Sequence, residues 1–370
     1  MKPIFKEPRL SPAMFFILLL TTLSGLDFLI TPYDVARTSG PSAYWAVIVS
    51  LILTLPFIGL VTLFKNRFPD EDLFQVASRV LGKPLALLGN LSFLGVFLIW
   101  LVTVVPNACY LISTYLLDRT PVMVIEIMLL AAVGYIAVSG LKAVCRMAAF
   151  IFIPTIVFRL VMQLLSFQNM TLSFLQPVFS MHPLSHLNGG IATLSNFIPL
   201  STAFLIYPLL KKPGKLSAGL LGAAASGTLL LFLSVVGTIG IFSAPVCQRF
   251  IWPNLEAVHS LSIPYLVMEQ FGLLFIMVWL TMFLIAVAYY FVVLAGGLTQ
   301  QFPALNFHYT IIGLLILIGI GGFMIFPTTY RVNTVFTGIR HYGIGPVVIY
   351  PFIVYVVALF RGKRGRLHEA

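Results

Sequence analysis

Charged residues are scarce in this chain. Lysine, arginine, aspartate and glutamate make up 9% of its 370 residues, against about 25% in an average soluble domain. Hydrophobic residues make up 59%, and the mean hydropathy is +1.02. No soluble core can hide so much apolar surface from water. The composition therefore excludes a soluble protein and predicts an integral protein of the lipid bilayer.

Motifs for disulfides, metal binding and covalent catalysis are also lacking. Cys109, Cys145 and Cys247 are the only cysteines, and they show neither pairing nor the spacing of a metal site. The chain has no glycine-rich phosphate loop, no nucleophile elbow and no convincing catalytic triad. We therefore expect neither an enzyme nor a protein with a metal or cofactor.

Long apolar runs dominate what remains. A helix that crosses the bilayer needs about 20 predominantly apolar residues. The polar, glycine and proline boundaries predict ten such helices in one all-α membrane domain over residues 1–370. The predicted spans lie near residues 13–35, 42–64, 86–116, 121–139, 144–165, 190–210, 217–242, 266–298, 309–327 and 343–360.

The basic residues indicate the orientation of these spans. If the N-terminus is cytoplasmic, 16 of the 22 lysines and arginines fall in cytoplasmic segments and 5 in outer ones, as the positive-inside rule requires. This distribution predicts that both termini are cytoplasmic. It also explains the net charge of +11 by attraction to an anionic membrane surface, without a nucleic-acid partner.

Span 1 contains a polar interruption, Ser24-Gly25-Leu26-Asp27, in the middle of its apolar run. A carboxylate beside a helix-weakening glycine is costly at this depth and indicates a functional site. Pro32 frees further backbone groups, which membranes tolerate only inside protein or along a cavity. The residues therefore predict a ligand site. In the alternative interpretation, Gly25 allows close helix packing and Asp27 bonds a neighbouring hydroxyl.

Span 6 contains a matching interruption, with Asn196, Phe197, Pro199 and Ser201 at its centre. If the chain divides into two five-span halves, spans 1 and 6 begin them, and interruptions at corresponding positions indicate a transporter-type binding site. A simple proline kink at Pro199 is the alternative. In span 3, Asn107 lies on an aromatic and polar face and completes the predicted site, unless it makes an interhelical hydrogen bond.

Span 5 carries Arg159 and Gln163 four residues apart, and therefore on one helix face. A guanidinium in the membrane interior needs a carboxylate or several carbonyls as partner. Asp27 is the predicted partner, with Glu126 and Glu269 as alternatives.

The same region offers residues that could couple to an ion. Arg159 or a protonatable Asp27 would serve proton coupling, and a fixed cation in span 5 would replace a sodium ion near spans 1 and 8. Thr281 is the hydroxyl near the centre of span 8, so a sodium site with several oxygen ligands has little support.

A series of short motifs resembles the B subunits of spore germination receptors, a family of spore permeases. Each motif is short, but they occur in the order found in that family: Gly40, Trp45, Lys65 to Pro69, Leu73, Leu81-Gly82-Lys83, Pro208, Lys211-Lys212-Pro213 and the basic tail from Arg361 to Arg366.

The resemblance implies the amino acid–polyamine–organocation superfamily and its ten-span inverted-repeat fold of the leucine-transporter type, with spans 1 and 6 discontinuous. It implies a location in the inner membrane of a bacterial spore, beside an A-type subunit and a lipoprotein C-type subunit. The implied function is to bind an amino acid or other small nutrient and to trigger germination. Two alternatives stay open: a proton-coupled transporter of amino acids or amines, and an assembly scaffold with an unused pocket.

Two residues depart from the family pattern. Asp27 stands where relatives carry the second glycine of Gly-x-Gly, and Ser201 stands where relatives carry a glutamate. Freed backbone N–H groups at a broken helix normally receive a ligand carboxylate, which Asp27 would repel. The hypothesis is that this chain binds an amine, a zwitterion presented amine-first, or a neutral nutrient.

Overall fold

The structure, a computed structural model, describes residues 10–25, 27–178, 183–211, 213–261, 271–325 and 343–365. Within these ranges the side chains of Asp27, Pro213, Phe323, Ile325 and Ile344 are left out of the description. The described residues form fifteen α-helices: α1 (Pro12–Leu23), α2 (Asp27–Ser39), α3 (Tyr44–Arg67), α4 (Leu73–Leu81), α5 (Lys83–Tyr115), α6 (Val122–Val138), α7 (Leu141–Ser166), α8 (Pro183–Thr193), α9 (Ala203–Ile206), α10 (Leu216–Phe242), α11 (Ala244–Cys247), α12 (Pro253–His259), α13 (Phe271–Gln301), α14 (Phe307–Ile325) and α15 (Ile344–Phe360). Short 3₁₀ segments occur at Gly40–Ser42, Phe167–Asn169, Leu172–Leu175, Leu194–Thr202, Tyr207–Leu209 and Pro213–Lys215.

Several of these helices are long enough to cross a membrane. In the described part of the chain, six helices pass a test of length and apolarity, and α1 with the bent α2 forms a seventh candidate. Helices α6, α14 and α15 are apolar but shorter. The protein is therefore an all-α, multi-pass membrane protein, while the count of ten spans stays a prediction.

Span 6 begins earlier than its sequence pattern indicated. Helix α8 starts at Pro183 and carries polar residues such as Asn188. It packs against α2 and α3, and 89% of the most apolar window of this span is buried inside the protein. Asn188 itself is exposed, whereas polar side chains further along the span, such as Thr193 and Asn196, are buried because that part of the span faces protein instead of lipid.

Helix α13 is at the centre of the bundle. It packs against α1, α5, α6, α7, α12 and α14, and its run from Ile285 to Ala295 is buried throughout. The two interrupted spans pack around the same core: α1 contacts α7, α10 and α13, and the 3₁₀ segment Leu194–Thr202 contacts α1, α2 and α3. The fold thus brings the breaks in spans 1 and 6 together.

The beginning and the end of the described chain meet at one face of the bundle. Leu10 N–H donates to the carbonyl of Leu209 (2.7 Å), and Lys211 N–H donates to that of Leu10 (2.9 Å). At the same face Tyr207 donates its hydroxyl to the Phe68 carbonyl (2.9 Å), and Gly365 N–H donates to the Arg67 carbonyl (2.9 Å). An even number of spans would produce this arrangement.

Helix α4 lies at this face, between α3 and α5. Asp72 begins it as a capping box: the carboxylate accepts hydrogen bonds from Phe74 N–H (2.9 Å) and Gln75 N–H (3.0 Å), and the Gln75 side chain accepts from Asp72 N–H (3.1 Å). Gly82 has φ of 83° where the chain turns into α5, a conformation that favours glycine. Local capping therefore fixes both ends of this short helix.

Candidate functional site

The break in span 1 lies between α1 and α2. The axes of Pro12–Leu23 and Phe28–Ser42 differ by 57°. The last turn of α1 closes with hydrogen bonds of 3.2 Å from Ser24 N–H to Thr21 O and from Gly25 N–H to Thr22 O. Leu26 and the side chain of Asp27, both part of the predicted site, lie outside the described residues. The predicted discontinuity of span 1 is confirmed.

The break in span 6 is a change of winding. Leu194–Thr202 forms a nine-residue 3₁₀ helix that includes Pro199, although 3₁₀ runs longer than about four residues are uncommon. Its polar side chains donate to carbonyl groups within the segment or just before it: Asn196 Nδ2 donates to Thr193 O (3.0 Å) and Ser201 Oγ to Ile198 O (2.7 Å). The second predicted discontinuity is also confirmed.

Close to the breaks, a hydrogen bond between side chains joins the two interrupted spans. Thr31 Oγ1 on α2 donates to Asn196 Oδ1 in the 3₁₀ segment, at 3.2 Å. Both side chains are buried. Because Asn196 also bonds Thr193 O within its own segment, its amide ties the backbone of span 6 to span 1.

A buried cation lies beside the break in span 1. Arg159 on α7 is 6% exposed, and its guanidinium carbon is 3.4 Å from the centroid of the Phe28 ring, a cation–π geometry. Its Nη1 has no hydrogen-bond partner among the described residues. The guanidinium borders a cavity of about 10 Å³, which has space for about one water molecule. Ser24, Thr155, Phe275 and Trp279 are among the other residues around it.

The predicted charge pairing of Arg159 is only partly within the described structure. Among the carboxylates whose side chains are described, none forms an ion pair with Arg159. Glu126 lies in a different cavity, between α6 and α14. The predicted pairing with Asp27, and the alternative with Glu269, fall outside the described residues.

The other two predicted coupling residues lie apart from this cavity. Gln163 Nε2 donates to Leu233 O on α10 (3.3 Å) and to Ser166 Oγ (3.3 Å), so it packs α7 against α10. Thr281 is exposed and donates its hydroxyl to Val278 O in its own helix (2.7 Å). The sequence spacing of Arg159 and Gln163 did not indicate these separate environments.

The remaining predicted site residues also lie in different parts of the structure. Phe197 and Ser201 line an apolar cavity of about 420 Å³ with residues of α3 and α15. Asn107 accepts a hydrogen bond from Trp252 Nε1 (3.1 Å), in the segment between α11 and α12. The structure therefore brings Ser24 to Arg159 and Asn196 to Thr31, and gives Phe197, Ser201 and Asn107 other neighbours.

Two aromatic residues at this region were missing from the predicted site. Trp279 on α13 donates its Nε1–H to the Gly25 carbonyl (3.4 Å), and Tyr289 donates its hydroxyl to Thr202 Oγ1 (2.6 Å). Each ring joins α13 to one of the two breaks. Their signal in the sequence is an aromatic residue with a polar group inside an apolar run, which must find a partner when buried.

Comparison with known proteins assigns this arrangement to a family. A family model described as spore germination protein matches residues 9–334. The chain belongs to the spore germination protein family. Two family members from Bacillus subtilis (strain 168) are similar along most of the chain. Spore germination protein B2 is 24% identical over 74% of either chain, and spore germination protein A2 is 24% identical over 92% of this chain and 93% of that protein.

This member of the spore germination protein family is similar in fold to solved structures. The crystal structure of MhsT in complex with L-phenylalanine matches with a TM-score of 0.67 at 12% identity, over 96% of this chain and 99% of MhsT. The likeness shows the fold of the leucine-transporter type, as predicted. Family and fold are those of permeases and transporters.

Proposed function

We propose that this chain is the nutrient-sensing membrane subunit of a spore germination receptor in the spore inner membrane. The nutrient, an amino acid or another small polar molecule, binds where the breaks in spans 1 and 6 face each other. The hydrogen bond from Thr31 to Asn196 carries this proposal, because it couples the two irregular segments close to the breaks. MhsT, with the same fold, was solved with L-phenylalanine bound.

In this proposal Arg159 is a fixed internal cation. It lies against Phe28 just after the break, in a cavity that also includes Trp279 of α13. A fixed charge at this junction of α2 (span 1), α7 (span 5) and α13 (span 8) takes the place of a mobile coupling ion. The protein can then respond to a ligand without ion-driven uptake, which favours a receptor over a sodium-coupled transporter.

Asp27 sets the ligand class in the proposal. A carboxylate beside the freed backbone of the break favours an amine, a zwitterion bound through its amine, or a neutral nutrient over a simple carboxylate anion. Asp27→Asn is expected to change the set of amino acids and amines that trigger germination. An unchanged response to every compound in that set would remove Asp27 from the site.

The proposed partners are an A-type membrane subunit and a lipoprotein C-type subunit of the same receptor. Family membership supports them. Co-purification of tagged protein from spore membranes tests this assembly, since a chain that acts alone would be recovered without such subunits.

The central experiment uses spores in which this receptor is the only one. A mixture of the twenty amino acids is the probe, and the fall in optical density reports germination. Thr31→Val, which removes the hydroxyl that bonds Asn196, is expected to weaken the response. Thr114→Val is the matched control, because Thr114 is exposed and bonds its own helix at Tyr110 O. Equal responses in both variants would contradict the proposed site.

Uptake separates the receptor from the transporter alternative. Purified protein in proteoliposomes, supplied with radiolabelled amino acids under a proton gradient, is expected to bind without accumulating them. Gradient-driven accumulation would establish the transporter instead. Spores that lose the nutrient response while the receptor still assembles would distinguish a sensor from a scaffold.

A further inference from the structure

An apolar cleft of about 730 Å³ runs between α6 and α14. Its outer rim consists of hydrophobic side chains that are more than half exposed, so the cleft opens towards the surroundings of the bundle. These rim residues are Ile127, Ile316, Ile320 and Met324, at 58%, 57%, 55% and 74% exposure.

Among the described residues that line this cleft, one carries a carboxylate. Glu126 is 5% exposed, and its Oε1 has no hydrogen-bond partner among the described residues. A methyl group at Gly322 of α14 would overlap with Oε1, so the glycine leaves the space that the carboxylate occupies. Glu126 lies about one turn inside the N-terminal end of α6.

The chemistry of the cleft selects its ligand. A carboxylate in an apolar membrane environment is expensive unless a proton or a cation compensates it. Apolar walls cannot replace the water around an inorganic cation, and among the described residues no group of three or more His, Cys, Asp or Glu is placed to hold a metal ion. A cation with an apolar chain matches both the carboxylate and the apolar walls of the cleft.

We propose that this cleft binds a linear alkylammonium ion, with its ammonium group on Glu126 and its alkyl chain between α6 and α14. The lining on α6 extends from Met123 to Ala131, about 12 Å along the helix, which suits a chain of medium length. The volume lies within the range of small-molecule sites, about 300–1,000 Å³. A transmembrane helix about 10 Å wide and 30 Å long is several times larger.

This site is separate from the proposed nutrient site. Its lining comes from α6 and α14, whereas Arg159 and Ser24 border the other cavity with residues of α2, α7 and α13. Loss of alkylammonium binding and loss of the nutrient response can therefore be measured independently.

The test measures binding of radiolabelled n-octylamine to the full-length protein in lipid nanodiscs, with empty nanodiscs as the baseline. Saturable binding is expected, and excess n-octanol, which has the same chain without the charge, should compete poorly. Glu126→Gln should weaken binding about tenfold or more, as loss of a charge-assisted contact does. Ile316→Trp, which fills the cleft and leaves the carboxylate, should also weaken it.

Asp118→Asn is the control, because Asp118 is an exposed carboxylate in the loop that precedes α6. It should bind octylamine as the unmodified protein does. The proposal is overturned if binding does not exceed the baseline, if Glu126→Gln binds as well as the control, or if octanol competes as well as octylamine. It is also overturned if Glu126→Gln leaves octylamine binding intact and instead releases a partner subunit, since the carboxylate would then dock a helix.

Discussion

Two buried charges in this protein have opposite surroundings. Asp72, at the start of α4, accepts hydrogen bonds from two backbone N–H groups and from Gln300 Nε2 (2.9 Å). Arg159, beside the break in span 1, lies over Phe28, and its Nη1 has no acceptor among the described residues. Both side chains are less than a tenth exposed.

The difference separates a structural charge from a functional one. The bonds to Asp72 hold α4 to the end of α13, so this carboxyl group has a structural role. A buried charge without full compensation costs free energy, and proteins keep such groups where a ligand or a change of state uses them. The comparison therefore predicts that Arg159 matters for response and Asp72 for stability.

The largest expected effect is that of Arg159→Met. It should reduce the nutrient response about 100-fold or more, a loss equivalent to about 3 kcal/mol, while the apparent melting temperature stays the same or rises because a buried charge is removed. Germination assays and thermal unfolding in nanodiscs measure the two effects. Arg146→Met is the control, since Arg146 is exposed on the same helix. Strong destabilisation by Arg159→Met would show that Arg159 is a structural charge, as Asp72 is, and would contradict the comparison.

The pH dependence of stability tests the other charge. Burial raises the pKa of Asp72 from 3.8 to about 6. The folded state then binds the proton more tightly than the unfolded state. The stability from this group is present in full below pH of about 3.8 and is lost as pH rises through about 6, on the order of 3 kcal/mol.

Asp72→Asn provides the matched measurement. Asparagine is as good an N-cap as aspartate but does not titrate, so the fall in melting temperature between pH 4 and pH 6 should shrink in this variant. The same fall in both proteins would mean that another group is responsible.

A smaller effect is expected for Gln300→Leu. It removes one of three described donors to Asp72 and should lower the free energy of unfolding at pH 7 by about 2 kcal/mol, as for a hydrogen bond to a charged group. It should also move the pH-dependent fall upwards, because the ionised carboxylate is then less well solvated. Unfolding curves between pH 5 and pH 8 test both effects. A variant as stable as the parent would show that Asp72 depends on its backbone donors alone.

The smallest effect on stability is expected for Trp279→Phe. The hydrogen bond from Nε1–H to Gly25 O is long, and bonds between membrane helices contribute about 1 kcal/mol or less. The nutrient concentration for half-maximal germination should nevertheless rise several-fold, because the indole holds the break in span 1 against α13. If the variant is as sensitive to the nutrient as the unmodified protein, the break in span 1 takes no part in the response.

The two interruptions were predictable because their causes are local. Gly25 and Pro199 weaken helices through their own backbone chemistry, which neighbouring residues hardly change. The side-chain directions at the second break were not predictable. A 3₁₀ run has three residues per turn instead of 3.6, so residues three apart lie in one row. The rows Leu194–Phe197 and Ile198–Ser201 both line the cavity near α3 and α15.

The partners of polar residues in the membrane were also beyond sequence reasoning. Asn107 bonds Trp252, 145 positions along the chain, and no periodicity relates them. Gln163 follows Arg159 by one helical turn, yet Gln163 packs on α10 and Arg159 borders a small cavity. A helix face shows which residues point together, but only the neighbouring helix decides what they meet.

By itself the sequence determined the membrane class, the interrupted spans and the buried arginine, because hydrophobicity and backbone preference are properties of residues and their near neighbours. Only the tertiary structure decided that Arg159 lies on Phe28 beside a cavity with space for one water molecule, that Thr31 bonds Asn196, and that Glu126 lines an apolar cleft. Those facts depend on contacts between segments far apart in the chain. Packing sets such contacts, since it must satisfy every buried helix at once.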